Sequence, residues 1–208
     1  MTDLEEFLPK VLPLCPGVPE PVAFEHIRNA AIEFCEETKL WRYEDTFELS
    51  GEPEFVCVPA GAVIHDIERV DFNGRKLTPA TVGWLDDTRP DWRSDANLLT
   101  GEPDCFTQTQ PDTIRLVPLP STGTAKVYLR LKPSEDADQL PDFIASQHRA
   151  LIGWGAVAGI LMLPNQTFSD PNRATYYQGR FDAGLGRSSK RQAAGQQRGR
   201  IRMKGNFF

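Results

Sequence analysis

Apolar residues spaced as on one face of an α-helix first occur after the proline-rich opening of the chain. They recur at steps of 4, 4, 3 and 7 residues: Ala23, Ile27, Ala31, Phe34 and Trp41. Pro21 suits the first turn of a helix, where its missing N–H costs no hydrogen bond. The pattern predicts a helix from near Glu20-Pro21 to about Leu40, preceded by a short helical turn near Leu4–Leu8.

Between Trp41 and Leu131 the period changes to short alternating runs, which are typical of strands. Asn73-Gly74 predicts a tight hairpin turn, because both residues tolerate positive φ. Gln110-Pro111-Asp112 predicts a second hairpin. The expected strands are Thr46–Leu49, Glu54–Val58, Val63–Phe72, Cys105–Thr109, Thr113–Val117 and Lys126–Leu131. We therefore expect an antiparallel β module inserted between helical parts.

The stretch between Leu77 and Cys105 shows little regular pattern and is predicted to be a long loop. Loops of this length in a compact domain are usually functional or poorly ordered. Trp84, Trp92 and Arg93 in this stretch are candidates for contacts with a partner, since tryptophan often anchors interfaces. The alternative interpretation is that the two tryptophans cover the sheet.

Helical spacing returns after Pro141 and continues to about Leu163. Gly153, Gly155 and Gly159 each cost a helix about 1 kcal/mol relative to alanine. These glycines indicate close packing against another helix, and the first helix is the expected partner. Asp170-Pro171 then predicts the start of a last helix, which should end near Gly184–Gly186.

These patterns predict an α+β fold: an antiparallel bundle of three main helices, an inserted antiparallel β module and an extended C-terminal arm. A single domain is expected over residues 1–186. Its helical core would comprise 20–41 and 141–186, with the β insertion at 42–132. Residues 187–208 would form a basic docking arm, disordered in the free subunit because it has few apolar residues to bury.

Charge separates the arm from the rest of the chain. The arm has no Asp or Glu, whereas the remaining chain has 16 of the 23 basic residues against all 29 acidic ones. Its candidate docking residues are seven cations and two terminal aromatics: Arg187, Lys190, Arg191, Arg198, Arg200, Arg202, Lys204, Phe207 and Phe208. Phosphate binding, protein docking and a solvated tail are three interpretations of such a segment. The aromatic pair favours docking on protein, because phosphate binding alone does not require it.

Sequence motifs for catalysis or metal binding are absent. His26, His65 and His148 are scattered, and Gly153-Trp154-Gly155 with Gly159 has the wrong spacing for a dinucleotide loop. The four cysteines form no CxxC pair, which argues against zinc or redox chemistry. We expect no enzyme, metal or cofactor. We also expect no membrane span, since the longest apolar run, Ala150–Leu163, is shorter than the ~20 residues required.

Four stretches together resemble bacteriophage head-to-tail adaptor (connector) proteins, of the portal-binding ring family found in short-tailed and related phages. They cover most of the chain: residues 8–42, a proline-punctuated lead and helix ending in EFCEETKLWR; 100–120; 140–185; and the arginine-rich arm. None of the four is a catalytic fingerprint.

The resemblance implies a structural virion protein that joins the phage head to the tail. Such adaptors form a ring, commonly of twelve subunits, beneath the portal protein, and the ring continues the DNA channel toward a tail nozzle or other tail proteins. The C-terminal arm would hold the portal or neighbouring subunits, and an acidic body would let DNA slide. The expected location is the head–tail interface of the virion, with assembly in the host cytoplasm. The alternative is a nucleic-acid-binding protein with a basic C-terminal tail.

Overall fold

The computed structural model describes residues 1–93 and 101–194 of the 208-residue chain. Contacts divide the chain into two compact units. Unit 1 comprises Met1–Trp41 and the residues from Lys132 onward, and unit 2 comprises Arg42–Leu131. In the described ranges, the α-helices are α1 (Leu8–Val11), α2 (Glu20–Thr38), α3 (Val82–Thr88), α4 (Asp142–Leu161) and α5 (Pro171–Ala194). Short 3-10 helices lie at Leu4–Phe7, Leu12–Leu14 and Pro90–Arg93.

The strands of the described residues form three sheets. In chain order they are β1 (Thr2–Asp3), β2 (Arg42–Leu49), β3 (Glu54–Val56), β4 (Ala62–Phe72), β5 (Arg75–Lys76), β6 (Thr78–Pro79), β7 (Cys105–Thr107), β8 (Thr113–Val117), β9 (Gly123–Pro133) and β10 (Gln139–Leu140).

Helix α4 is the central element of unit 1, where it contacts α1, α2 and α5. Because it has neighbours on several sides, its buried residues are not confined to one stripe. Ile27 and Phe34 of α2, Ile144 and Ile152 of α4, and Phe181 of α5 are fully buried in this unit. Strands β1 and β10 pair antiparallel, with Thr2 opposite Leu140.

The three glycines of α4 lie where other helices approach closely. A methyl group at Gly155 would lie 3.0 Å from Cβ of Ala30, and one at Gly159 would lie 2.6 Å from Nδ1 of His26. Both contacts are with α2, so the expected packing against the first long helix is confirmed. Gly153 instead faces Lys10 of α1, at 3.0 Å from its Cβ.

Unit 2 contains two four-stranded sheets. One has the order β2-β9-β4-β5 and the other the order β3-β8-β7-β6. Asn73 (φ 47°) and Gly74 (φ 81°) make the turn from β4 to β5, so this hairpin prediction is confirmed. The hairpin of β7 and β8 is also confirmed, with Phe106 opposite Leu116.

The predicted fold needs correction, although the α+β class holds. In the described part of the chain, five α-helices and three sheets replace the expected three-helix bundle with one small antiparallel β module. Strand β6 pairs parallel with β7, so unit 2 is not purely antiparallel. The β1–β10 sheet lies outside the predicted insertion. Two-residue strands such as β1, β6 and β10 are too short to produce a visible period.

Two element boundaries were also predicted wrongly. The expected loop between Leu77 and Cys105 contains β6, α3 and a 3-10 helix, while residues 94–100 lie outside the described residues. Helix α5 does not end near Gly184–Gly186 but continues to Ala194. Glycine lowers helix propensity without ending a helix that has packing partners. None of the helices in the described residues combines the length and apolar character needed to cross a bilayer.

Candidate functional site

Helix α5 carries a row of exposed arginines along one side. They follow one another at steps of seven, seven and four residues, which places all four within about 40° on the helix surface: Arg173, Arg180, Arg187 and Arg191. The row is about 27 Å long at 1.5 Å per residue. The buried side of α5 is turned roughly 100° away from it and includes Ala174, Phe181, Leu185 and Ser188.

Arg180 is held in place by aromatic rings. Its guanidinium lies 3.9 Å from the ring centroid of Trp154 in α4, and its Nη1 donates to the hydroxyl of Tyr176 at 3.2 Å. Tyr176 is 58% exposed and lies against Tyr177, with ring centroids 5.2 Å apart. Stacking and hydrogen bonding leave the charged group presented in a limited set of orientations. We call the arginine row together with Trp154, Tyr176 and Tyr177 the basic face.

The basic face has few internal charge partners. Arg173 donates through Nη2 to the carbonyl of Leu14 at 3.0 Å. Within residues 1–93 and 101–194, no carboxylate lies within ion-pair distance of Arg180, Arg187 or Arg191. Among the described residues, the charges of these three arginines are therefore not neutralised by an ion pair.

The first residues of the predicted arm belong to α5. Arg187, Lys190 and Arg191 are exposed on this helix, and the six remaining candidates lie outside the described residues: Arg198, Arg200, Arg202, Lys204, Phe207 and Phe208. Ser188 is buried, and the Ser189 hydroxyl donates to the Glu37 carbonyl of α2 at 3.0 Å. The expectation that disorder begins at residue 187 is wrong, because α5 continues through this turn and the turn contacts α2.

Unit 2 places the candidates Trp84, Trp92 and Arg93 in different environments. Trp92 is only 3% exposed, and its Nε1 donates to Oδ1 of Asp86 at 2.8 Å. The guanidiniums of Arg93 and Arg115 lie 4.8 and 5.1 Å from the Trp92 ring centroid. Arg93 also forms an exposed ion pair with Asp86 at 2.8 Å. Trp92 is thus part of the core of unit 2, as in the covering interpretation of the sequence.

Trp84 is 48% exposed and lines a groove of about 650 Å³ in unit 2. Arg75, Lys76 and Arg89 provide positive charge along this groove. Asp104 accepts two hydrogen bonds from Arg89, at 2.8 and 2.6 Å. The hydrogen bonds from Arg89 hold the pKa of Asp104 below its usual value, against the opposing effect of burial.

Sequence reasoning missed Arg89 and Asp104, because they are 15 residues apart and no local pattern joins them. One feature of the sequence could have indicated a helix here: Thr81, a residue type that caps helix N-termini, stands directly before an apolar run. Its side chain caps α3 by accepting from the Trp84 amide at 3.3 Å. Recognising this helix would have placed Trp84 and Arg89 on one short helical segment.

A second groove, of about 470 Å³, lies in unit 1 at the start of α2. It is lined by Asp3, Glu5 and Asp138 together with the Phe24 ring and Arg28. Arg28 donates to the Ala137 carbonyl at 2.7 Å and forms an ion pair with Asp138 at 3.2 Å. One arginine therefore faces several carboxylates, and the groove keeps an excess of negative charge. We call it the acidic groove.

The histidines are isolated from one another. His148 stacks on Phe34 at 4.7 Å between ring centroids, and His26 contacts Gly159. Burial lowers the pKa of both imidazoles, and the charge of Arg191 lowers that of His148 further. In the described ranges, no group of three or more His, Cys, Asp or Glu residues could hold a metal ion.

Comparison with known proteins gives one family match. The family model described as SU10 adaptor protein matches residues 2–203. No curated protein matches the chain. The matched range runs through both units and includes the basic face and both grooves.

Proposed function

The chain belongs to the SU10 adaptor protein family, and we propose that it is a structural protein of a bacteriophage virion that joins the head to the tail. The observation that carries this proposal is the family match over residues 2–203. The resemblance of four stretches of the sequence to head-to-tail adaptors agrees with it. The proposed role is mechanical and requires no catalysis or cofactor.

Several copies, twelve in the simplest case, would form a ring beneath the portal protein and continue the DNA channel. The formal net charge of −6 supports passage of DNA through such a ring, because an acidic lining repels phosphate and a neutral lining does not bind it. The other partners would be tail proteins such as a nozzle. The protein would be found at the head–tail interface of the virion and, during assembly, in the host cytoplasm.

Docking on the portal or on a neighbouring subunit is assigned to residues 187–208. The exposure of Arg187, Lys190 and Arg191 on α5 supports this assignment. The rest of the arm would contribute the further cations and Phe207-Phe208 as apolar anchors. Arginine suits such docking, since its planar guanidinium binds carboxylates through two hydrogen bonds.

Contacts of unit 2 with the ring or the tail are assigned to the groove beside Trp84. Its exposed indole and the nearby Arg75 and Lys76 offer an apolar contact flanked by positive charge. Arg93 would lie at the edge of a contact as an exposed side chain. Trp92 is buried, so its expected effect is on the stability of unit 2.

The test of the proposed function is electron microscopy of the purified protein mixed with its portal. We expect a ring on the tail-facing side of the portal, coaxial with the channel. The control is the portal mixed with the variant lacking residues 195–208. This variant keeps α5 intact but lacks the rest of the arm, and it should leave the portal bare. Portals that remain bare with the full-length protein would contradict the proposal.

Nucleic-acid binding is the second candidate, and the arginine row of α5 is the observation that favours it. Phosphate contacts would make DNA affinity fall steeply with salt concentration. Titration of the free protein with duplex DNA over a series of salt concentrations distinguishes the two functions. A structural adaptor should bind duplex DNA weakly at physiological salt.

A further inference from the structure

We propose that the basic face of α5 on one copy docks on the acidic groove of a second copy. The inference rests on the proposed assembly and identifies the two surfaces that meet. It goes beyond the C-terminal arm, because Trp154, Arg173, Tyr176 and Arg180 precede residue 187. The occupant of the basic face is a second copy of this chain.

The basic face is prepared for a protein partner of negative charge. Arg180 is oriented by the Trp154 ring at 3.9 Å and by the Tyr176 hydroxyl at 3.2 Å, so little side-chain entropy is lost when a carboxylate binds. Tyr176 adds an exposed aromatic surface beside the guanidinium. Aromatic rings next to arginine are typical of the energetically important parts of protein interfaces.

The acidic groove has complementary properties. Asp3 and Glu5 are exposed on its rim, and the Phe24 ring contributes an apolar wall. In the adjoining loop, the hydrogen bond from the Ser134 hydroxyl lowers the pKa of Asp136, with a smaller contribution from the charge of Arg28. Arg28 already forms an ion pair with Asp138, so negative charge remains in excess among the residues that line the groove. An incoming arginine would supply the missing positive charge.

The acidic groove and helix α5, which carries the basic face, lie against different sides of α2. Phe24 and Arg28, one helical turn apart, face the acidic groove. Helix α5 lies against another side, where Ser189 donates to the Glu37 carbonyl and the Asp182 carboxylate contributes to the raised pKa of Glu33. Five residues separate Arg28 from Glu33, a rotation of about 140°.

A contact between two different surfaces is heterologous, so in a contacting pair one copy keeps an unused acidic groove and the other an unused basic face for further neighbours. Such contacts produce a closed ring when the rotation between copies closes, and a filament when it does not. The inferred contact is therefore compatible with the ring of the proposed function. It also predicts that self-association weakens as salt screens the charges.

Charge reversal on full-length protein tests the inference. The first variant carries Arg180→Glu with Arg187→Glu on the basic face, and the second carries Asp3→Lys with Glu5→Lys on the acidic groove. Control variants reverse exposed charges of unit 2 outside the groove beside Trp84: Arg42→Glu for the cations, and Asp87→Lys with Asp91→Lys for the carboxylates. Circular dichroism and thermal unfolding establish that each variant is folded. Sedimentation velocity at low salt, without portal, measures self-association.

We expect each reversal alone to weaken self-association by roughly tenfold or more, because like charges then meet at the interface. The two control variants should associate as the wild type does. Mixing the two reversed variants should restore association in alternating order, since each basic-face variant then meets an oppositely charged groove. Combining all four substitutions in one chain should restore self-association as well.

Several outcomes would overturn the inference. One is a wild type that stays monomeric at low salt at every concentration reached, and another is a folded pair of reversed variants that fail to associate when mixed. Loss of duplex DNA binding on reversal of the basic face, with self-association unchanged, would make nucleic acid the occupant instead. Failure of the inference leaves the proposed function standing if the protein still assembles on its portal. If the protein does not attach to the portal, but the mixed reversed variants associate with each other as expected, only the proposed function is contradicted.

Discussion

Gly155 of α4 packs directly against Ala30 of α2, so closely that a methyl group at Gly155 would lie 3.0 Å from Cβ of Ala30. The same methyl group would lie 3.0 Å from Cζ of Phe181 in α5. Cβ of Ala30 is fixed to its backbone and cannot rotate away. This glycine therefore determines how closely α4 approaches the two longest neighbouring helices of unit 1.

Gly155→Ala should destabilise the protein by about 1–3 kcal/mol, because overpacking a close helix contact exceeds the gain in helix propensity. Gly179→Ala is the matched control: Gly179 also lies within a helix, and nothing is within 4 Å of the position of a methyl group there. This control should stabilise the protein by up to about 1 kcal/mol. Urea unfolding followed by circular dichroism measures both changes. Equal effects of the two substitutions would show that the packing at Gly155 is not tight.

Trp92→Ala should destabilise unit 2 by about 3–5 kcal/mol, because it removes a buried aromatic ring and leaves Asp86 without its indole donor. Trp84→Ala should change stability by no more than about 0.5 kcal/mol, since Trp84 is half exposed. The measurements are thermal unfolding and, separately, assembly on the portal. Trp84→Ala should impair assembly while leaving the fold intact. If Trp92→Ala left stability unchanged, its position in the core would be refuted.

Acidification below neutral pH should destabilise unit 1 through His148. Burial, and secondarily the charge of Arg191, lowers the pKa of this imidazole below its ordinary value of 6.5. The unfolded chain therefore binds the proton more readily than the folded chain as pH falls below 6.5. The contribution of neutral His148 to the free energy of unfolding is complete above pH 6.5. It is lost as pH falls through the pKa that His148 has in the folded protein. His148→Gln should flatten this pH dependence in denaturant titrations, whereas His65→Gln serves as the comparison.

Glu33→Gln should stabilise unit 1 near pH 7. Burial first, and then the charges of Asp182, Glu37 and Glu36, raise the pKa of Glu33 above its ordinary value of 4.5. A raised carboxyl pKa favours folding at low pH, and this contribution is lost as pH rises through the folded pKa. Glutamine resembles the protonated form and avoids that loss. The difference in melting temperature between variant and wild type should shrink as pH is lowered toward 4.5.

Removal of residues 195–208 should leave a folded protein that no longer attaches to portal-bearing heads. The deletion starts beyond Ala194, the last residue of α5, and so preserves the burial of Ser188 and the hydrogen bond from Ser189 to α2. Phe207→Ala with Phe208→Ala should weaken attachment more than any single Arg→Ala change in the arm. Cosedimentation with heads is the assay. Unimpaired attachment of the truncated protein would exclude a docking role for this segment.

Several elements could be predicted because their signals are local. Pro21 allows only a narrow range of backbone conformations and lies in the first turn of α2, as expected. Asn73 and Gly74 adopt the positive φ angles that the hairpin required. The side chain of Asp170 accepts from the Arg173 amide at 3.1 Å at the start of α5, again where the sequence indicated.

Other features depend on residues that are far apart in the chain. Strand β1 exists because Thr2 lies opposite Leu140, and the Arg89 guanidinium finds its carboxylate at Asp104. Helix α5 continues past three glycines because its last turns bury Ser188 and donate a hydrogen bond to α2. Neither two-residue strands nor such contacts leave a periodic pattern, so the count of helices and sheets was predicted wrongly.

The sequence by itself determined the starts of α2, α4 and α5, the hairpin turns, the glycine-rich packing helix and the concentration of positive charge near the C-terminus, because each depends on the chemistry of neighbouring residues. Only the tertiary structure decided that Trp92 is buried while Trp84 is exposed, and that Arg187 and Arg191 continue an arginine row begun at Arg173 on one helix. Burial and charge pairing depend on which distant side chains meet. That arrangement is a property of the packed chain.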